Sequence, residues 1–212
     1  MKKYEFTGET KRVELWNRTA TLHRIKATVE FGFVKVGELG GWIEKEENLS
    51  HEGKAWVCGD AKVWGNAKVW GNAKVCGDAK VCGDAEVCGD AEVWGNAKVW
   101  GNAEVCDDAK VWGNAEVWGN AKVCGDAKVC GDAEVFLASH VLVMGSVGSR
   151  NDFTTFFRDK DNEITVKCGC FLGKIDKFLE KVTQTHGNNK YALVYRAAVE
   201  VAKLQIELTE RK

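Results

Sequence analysis

Nucleophiles and soft metal ligands are abundant in this chain, which has nine cysteines and four histidines among 212 residues. Seven of the cysteines and seven of the nine tryptophans lie between Trp56 and Cys130. Cysteines recurring at multiples of six differ from the irregular spacing of a secreted disulfide framework, and their odd total leaves one over. The pattern predicts reduced thiols in a cytoplasm. Further on, Cys168, Cys170 and His186 offer three candidate ligands, one short of a closed zinc site, and a Cys-Gly-Cys strand end accounts for two of them without an ion. Asp78, Asp84, Asp90, Asp126 and Asp132 suit calcium, but aspartate is also a good turn residue. No metal is assigned.

A second group carries charge. Arg150, Asn151, Thr154, Thr155 and Arg158 follow a Gly-Ser-Val-Gly-Ser segment, a chemistry suited to phosphate or another anion, with an ordinary polar connection as the alternative. The net charge of -1 is unevenly spread: +1 over 1–54, -5 over 55–136 and +3 over 137–212. The acidic middle excludes a binder of nucleic-acid polymer along the repeat. Of the histidines, only His140 stands in the repeat register, in an outward slot otherwise held by Lys or Glu. It is the one candidate base for acyl transfer, with no carboxylate placed to orient it.

The elements that must position these residues are set by a repeat. Fourteen consecutive six-residue units run from Ala55 to Ala138, nearly all Ala-Lys/Glu-Val-Trp/Cys-Gly-Asn/Asp, and valine continues the register at Val141 and Val147. Alternation puts Ala and Val on one side and Lys/Glu and Trp/Cys on the other, and Gly-Asn or Gly-Asp supplies a corner. Three such sides close an 18-residue triangular turn, giving about 4.7 turns and a prism about 22 Å long at about 4.8 Å per turn. In the thirteen units from Cys58 to Cys130, Trp always precedes Gly-Asn, and Cys always precedes an Asp two residues on. Tandem copying of two ancestral hexapeptides explains that linkage.

Val-Trp-Gly-Asn-Ala-Lys and its variants resemble the hexapeptide repeat of left-handed parallel β-helix proteins, a superfamily that includes trimeric acyl-CoA-dependent acyltransferases. The left hand is what the resemblance implies, since general crossover rules favour the right. Gly40-Gly41-Trp42-Ile43-Glu44 and Asn48-Leu49-Ser50-His51-Glu52-Gly53-Lys54-Ala55-Trp56-Val57 are similar to the opening segment of bacterial and phage hexapeptide proteins, some described as acetyltransferases. The tail, with Gly148-Ser149-Arg150-Asn151-Asp152-Phe153 and Thr185-His186-Gly187-Asn188-Asn189, resembles phage-type members. Fold does not fix function.

Stacking by 18 makes three outer columns. Cys58, Cys76, Trp94, Trp112 and Cys130 form one; Trp64, Cys82, Trp100, Trp118 and Phe136 the second; Trp70, Cys88, Cys106 and Cys124 the third. In the third, steps of about 4.8 Å put cysteines within disulfide reach. Exposed tryptophan ladders either mark self-association or seal the strand surface along Lys and Glu stems. The expected interface residues are Trp64, Trp100, Trp118 and Phe136 with Tyr191 and Tyr195, and the expected assembly is a homo-oligomer, a trimer by resemblance or a dimer through the C-terminal helices.

The ends should be capped. Residues 1–54 read as a β cap, with strands over Lys11–Trp16 and Thr21–Val29; residues 55–148 form the solenoid; residues 149–212 form a hairpin, Phe153–Arg158 with Ile164–Cys168, and two helices. Ile175, Phe178, Leu179 and Val182 mark the first helix, ending near His186-Gly187; Asn188 or Asn189 caps the second, whose apolar surface is broad. No apolar run is long enough for a membrane span, and Met1 to Glu5 lead into polar sequence instead of a signal core. The sequence therefore predicts a mainly β protein, a left-handed triangular solenoid with two caps, acting without catalysis. Its expected role is to bind a small anionic, nucleotide-type signal at the C-terminal or subunit junction, as a phage protein countering host defence would. A structural scaffold and an acyltransferase using His140 and CoA are the alternatives. No other cofactor is expected.

Overall fold

The structure, a computed structural model, describes residues 2–15 and 18–208. Trp16, at the end of the first predicted strand, lies outside the described residues. The chain begins with an antiparallel hairpin, β1 (Tyr4–Glu14) and β2 (Thr19–Ala27), followed by β3 (Leu39–Ile43). Fourteen two-residue strands, β4–β17, then recur every six residues from Trp56–Val57 to Glu134–Val135. Every third one pairs in parallel, so three walls form a triangular β-solenoid of about five turns.

The repeat dictates this geometry locally. Ala and Val of each unit point inward, and the whole series from Ala55 to Val135 is buried in one continuous core. Backbone ladders run between units 18 residues apart, as from Lys98 N to Ala115 O at 2.9 Å and from Trp100 N to Val117 O at 3.0 Å. On the outside the same spacing aligns Lys98 with Glu116 (2.7 Å) and Asn96 with Asn114 (3.2 Å). Exposed pairs of this kind add little stability, so the energy resides in the buried Ala-Val stack.

Corner glycines have a strict task. Gly101 has φ 71°, and a Cβ on it would lie 3.0 Å from Gly119 N. Gly101→Val should cost at least about 2 kcal/mol, because a β-branched residue at positive φ is strained even before it meets the next corner. Urea denaturation measures this loss. Asp107, which stands where the neighbouring corners have glycine, also sits at φ 58° and offsets its strain by accepting a hydrogen bond from Gly125 N at 3.1 Å.

Both ends differ from the sequence expectation. The first wall starts before residue 55: β3 pairs in parallel with Lys62–Val63, with Ile43 opposite Val63, so Gly40 to Ile43 already form a rung and β1–β2 extend that wall antiparallel. At the far end the rungs stop at Val135. Val141 and Val147 do not continue the solenoid; they lie in β18 (Val141–Val147), which joins β19 (Asp152–Arg158), β20 (Ile164–Cys168) and β21 (Phe171–Lys174) in an antiparallel sheet. Helices α1 (Ile175–His186) and α2 (Lys190–Gln205) cover its other face, and the Asn189 side chain caps α2 by accepting from Tyr191 N and Ala192 N. No helix among the described residues is long and apolar enough to cross a membrane.

Four of the cysteines are not reduced thiols. Disulfides join Cys58 to Cys76 and Cys106 to Cys124, each with Cα atoms 4.7 Å apart, because 18-residue stacking brings like positions within bonding distance. Disulfides are rare in reducing compartments, so the reduced-thiol expectation is corrected for these four. Alkylation of the unfolded chain should modify five cysteines without reductant and nine after reduction, as read by intact mass.

Candidate functional site

β19 organises the C-terminal end. Its alternation sends Phe157 into the solenoid core and Phe156 into the core beneath the helices. Three residues expected to bind a ligand are consumed by this plug. Thr155 is buried and its Oγ1 accepts from Lys128 N at 3.0 Å, satisfying a donor at the solenoid's open edge. Thr154 is fully buried, with Oγ1 3.2 Å from Cys168 Sγ. Arg158 is buried, donates to Glu134 O and Oε2 at 3.1 and 3.2 Å, and lies 4.9 Å over the Phe136 ring. Asn151 is exposed in the β18–β19 turn at φ 53°, away from the cleft described below. Of the five, only Arg150 remains at a concave surface.

That surface is a cleft of about 220 Å³ between the sheet and the helices. Ser149 and Arg150 enter it from the β18–β19 turn, Cys168 from the end of β20, Cys170 from the β20–β21 turn, Lys181, Thr185 and His186 from α1, and Tyr195 from α2. Phe171 and Phe178 form an aromatic floor, with rings 5.3 Å apart. Gly148 permits the assembly: it has φ 76°, and a Cβ there would fall 1.9 Å from the Tyr195 hydroxyl. Burial, reinforced by neighbouring Cys168, raises the Tyr195 phenol above its ordinary pKa and keeps it a donor. Ser149 Oγ is 3.5 Å from His186 Nε2.

The electrostatics have one sign. No carboxylate lines the cleft, and among the described residues neither Arg150 nor Lys181 makes an ion pair. Lys181 and Thr185 escaped sequence reasoning because their only signal is an i, i+4 spacing on the polar side of an ordinary amphipathic helix. Cys168, Cys170 and His186 do not converge on a metal position. Among the described residues the one cluster of potential ligands is Glu104, Cys106 and Cys124, and its two sulfurs are bonded to each other.

The acyl-transfer base is also repositioned. His140 does not face outward: a 3-10 turn over Ala138–His140 tucks it inside at 0% exposure, edge-on to Phe136 at 4.3 Å. Of the expected interface residues, Trp64 is buried against Ala20, Leu22 and Trp42, and Tyr195 is buried beside Phe178. Tyr191 is half-buried near His186. Trp100, Trp118 and Phe136 form a half-buried stack with centroids 4.9 and 5.0 Å apart, so the rings seal one another. No family model matches the chain, and no curated protein matches it.

Proposed function

We propose that this chain is a non-catalytic, oligomeric β-solenoid protein that binds the phosphate end of a small anionic, nucleotide-type ligand in the C-terminal cleft. The observation that carries this is the convergence of unpaired Arg150 and Lys181 with His186 on a carboxylate-free cleft backed by aromatic rings. Binding is favoured over turnover because Ser149 and His186 lack the orienting carboxylate of an activated nucleophile. Fully buried His140 cannot meet an acceptor, which weighs against the acyltransferase alternative. The phage-type resemblance of the tail makes host signalling nucleotides the first class to assay, with sequestration as the role.

Isothermal titration against cyclic and ADP-ribose-type nucleotides tests the proposal. Arg150→Ala and Lys181→Ala should each weaken binding about tenfold, the scale of one partly exposed charge-assisted hydrogen bond. Silence across the panel would refute it, and acetyl-CoA binding at that cleft would favour the enzyme alternative.

Oligomerisation is assigned to α2. Its buried face uses Ala192, Tyr195, Ala198, Val199 and Ala202. Val194, Ala197, Val201 and Leu204 remain exposed at 3-4-3 spacing, with Leu204 at 89% exposure. A 3-4-3 apolar seam on one helix is the pattern that packs against an identical helix, so the occupant is a second copy of this chain.

A further inference from the structure

A cavity of about 500 Å³ lies at the other end of the rod and shares no residue with the C-terminal cleft. It forms where the repeat begins. The second slot of each unit otherwise carries Lys or Glu, but the first unit carries Trp56, and the loop after β2 folds back over it with Phe31 edge-on at 5.4 Å. Phe33 in that loop takes no part in the packing. It is 87% exposed, its ring meets the Lys74 ammonium at 5.2 Å, and it forms the outer wall, with the Cys58–Cys76 disulfide beneath. A cavity of this size accommodates one small molecule.

Its polar atoms are unevenly committed. Glu38 accepts from Lys35 N at 3.0 Å, and Asp90 accepts from Asn72 at 3.1 Å. Lys54 makes no ion pair among the described residues, and Trp56, only 4% exposed, has an Nε1 without a hydrogen-bond partner. Lys74 is committed to Glu92 at 3.3 Å, so the donors left without a partner are Lys54 and Trp56 Nε1, set among aromatic rings. Buried donors without acceptors are costly and mark a position for one. We infer that this cavity is a binding site for a small aromatic anion, its ring against Phe33 and Trp56 and its carboxylate or sulfonate on Lys54. Planar rings gain from the aromatic walls, and an anion gains from an unpaired lysine.

The test is a fluorescence titration of the full chain with 1-anilinonaphthalene-8-sulfonate, followed by displacement with 1-naphthoate and indole-3-acetate. The expected result is saturable one-to-one binding, displaced by both carboxylates. Phe33→Ala and Lys54→Ala, both at exposed side chains, should each weaken it tenfold or more, and Trp56→Phe, which removes only the indole N–H donor, several-fold. Arg150→Ala and Leu204→Glu should leave it unchanged, which separates this site from the C-terminal cleft and from dye on the α2 face. Absence of saturable binding overturns the inference, as does binding that survives Phe33→Ala and Lys54→Ala but disappears in Leu204→Glu.

Discussion

Leu204→Glu should leave a 23.4 kDa monomer in place of the dimer proposed through α2. Leu204 projects from α2 with 89% of its surface exposed, in register with Val194, Ala197 and Val201. Burying a leucine is worth about 2 kcal/mol, and a two-fold interface counts it twice, so its loss raises the dissociation constant about a thousandfold. A glutamate facing its own symmetry mate adds repulsion. The substitution touches nothing in the monomer's core, so circular dichroism should be unchanged. Light scattering across concentrations decides the matter: a wild-type mass of about 23 kDa throughout, or an unaltered oligomer in the variant, would refute the α2 interface.

The second large effect is on stability against pH. Burial, with the Arg158 guanidinium nearby, lowers the His140 pKa from its ordinary 6.5 to about 4. The neutral imidazole is the form the fold holds: Nδ1 accepts from Phe136 N at 3.4 Å, and Nε2 has no partner. Because the folded pKa lies below the unfolded one, the unfolded chain takes up the proton first as pH falls. The stabilisation is therefore complete above about pH 6.5 and is lost between 6.5 and 4. The shift corresponds to about 3 kcal/mol. Urea midpoints for the wild type should fall steeply across that window, and His140→Gln, which does not titrate, should lack this component. Parallel pH profiles for the two proteins would show that His140 is not the group responsible.

His140 also shows where sequence reasoning stops. Its place in the hexapeptide count implies an outward side chain, because alternation is a property of extended backbone. The count no longer applies once the chain leaves the rungs at Val135 and turns through Ala138–His140. Thr155 and Arg158 show the same limit. Their polarity and spacing suit an anion site, but the open end of a solenoid needs donors and acceptors of its own, and these two residues supply them to Lys128 and Glu134. Trp64 looks like its ladder partners, yet Ala20 and Leu22 of the N-terminal hairpin and Trp42 of β3 bury it.

The amino-acid sequence by itself determined the three-sided rod, because each six-residue unit carries its own alternation and its own corner and every unit repeats the same short-range instructions. It determined the C-terminal helices for the same reason, through local periodicity and the Asn189 cap. Only the tertiary structure decided which side chains stay available. The burial of Arg158, the convergence of Arg150 with Lys181 and His186, and the cavity under Phe33 all join segments far apart in the chain, and no local period encodes such contacts.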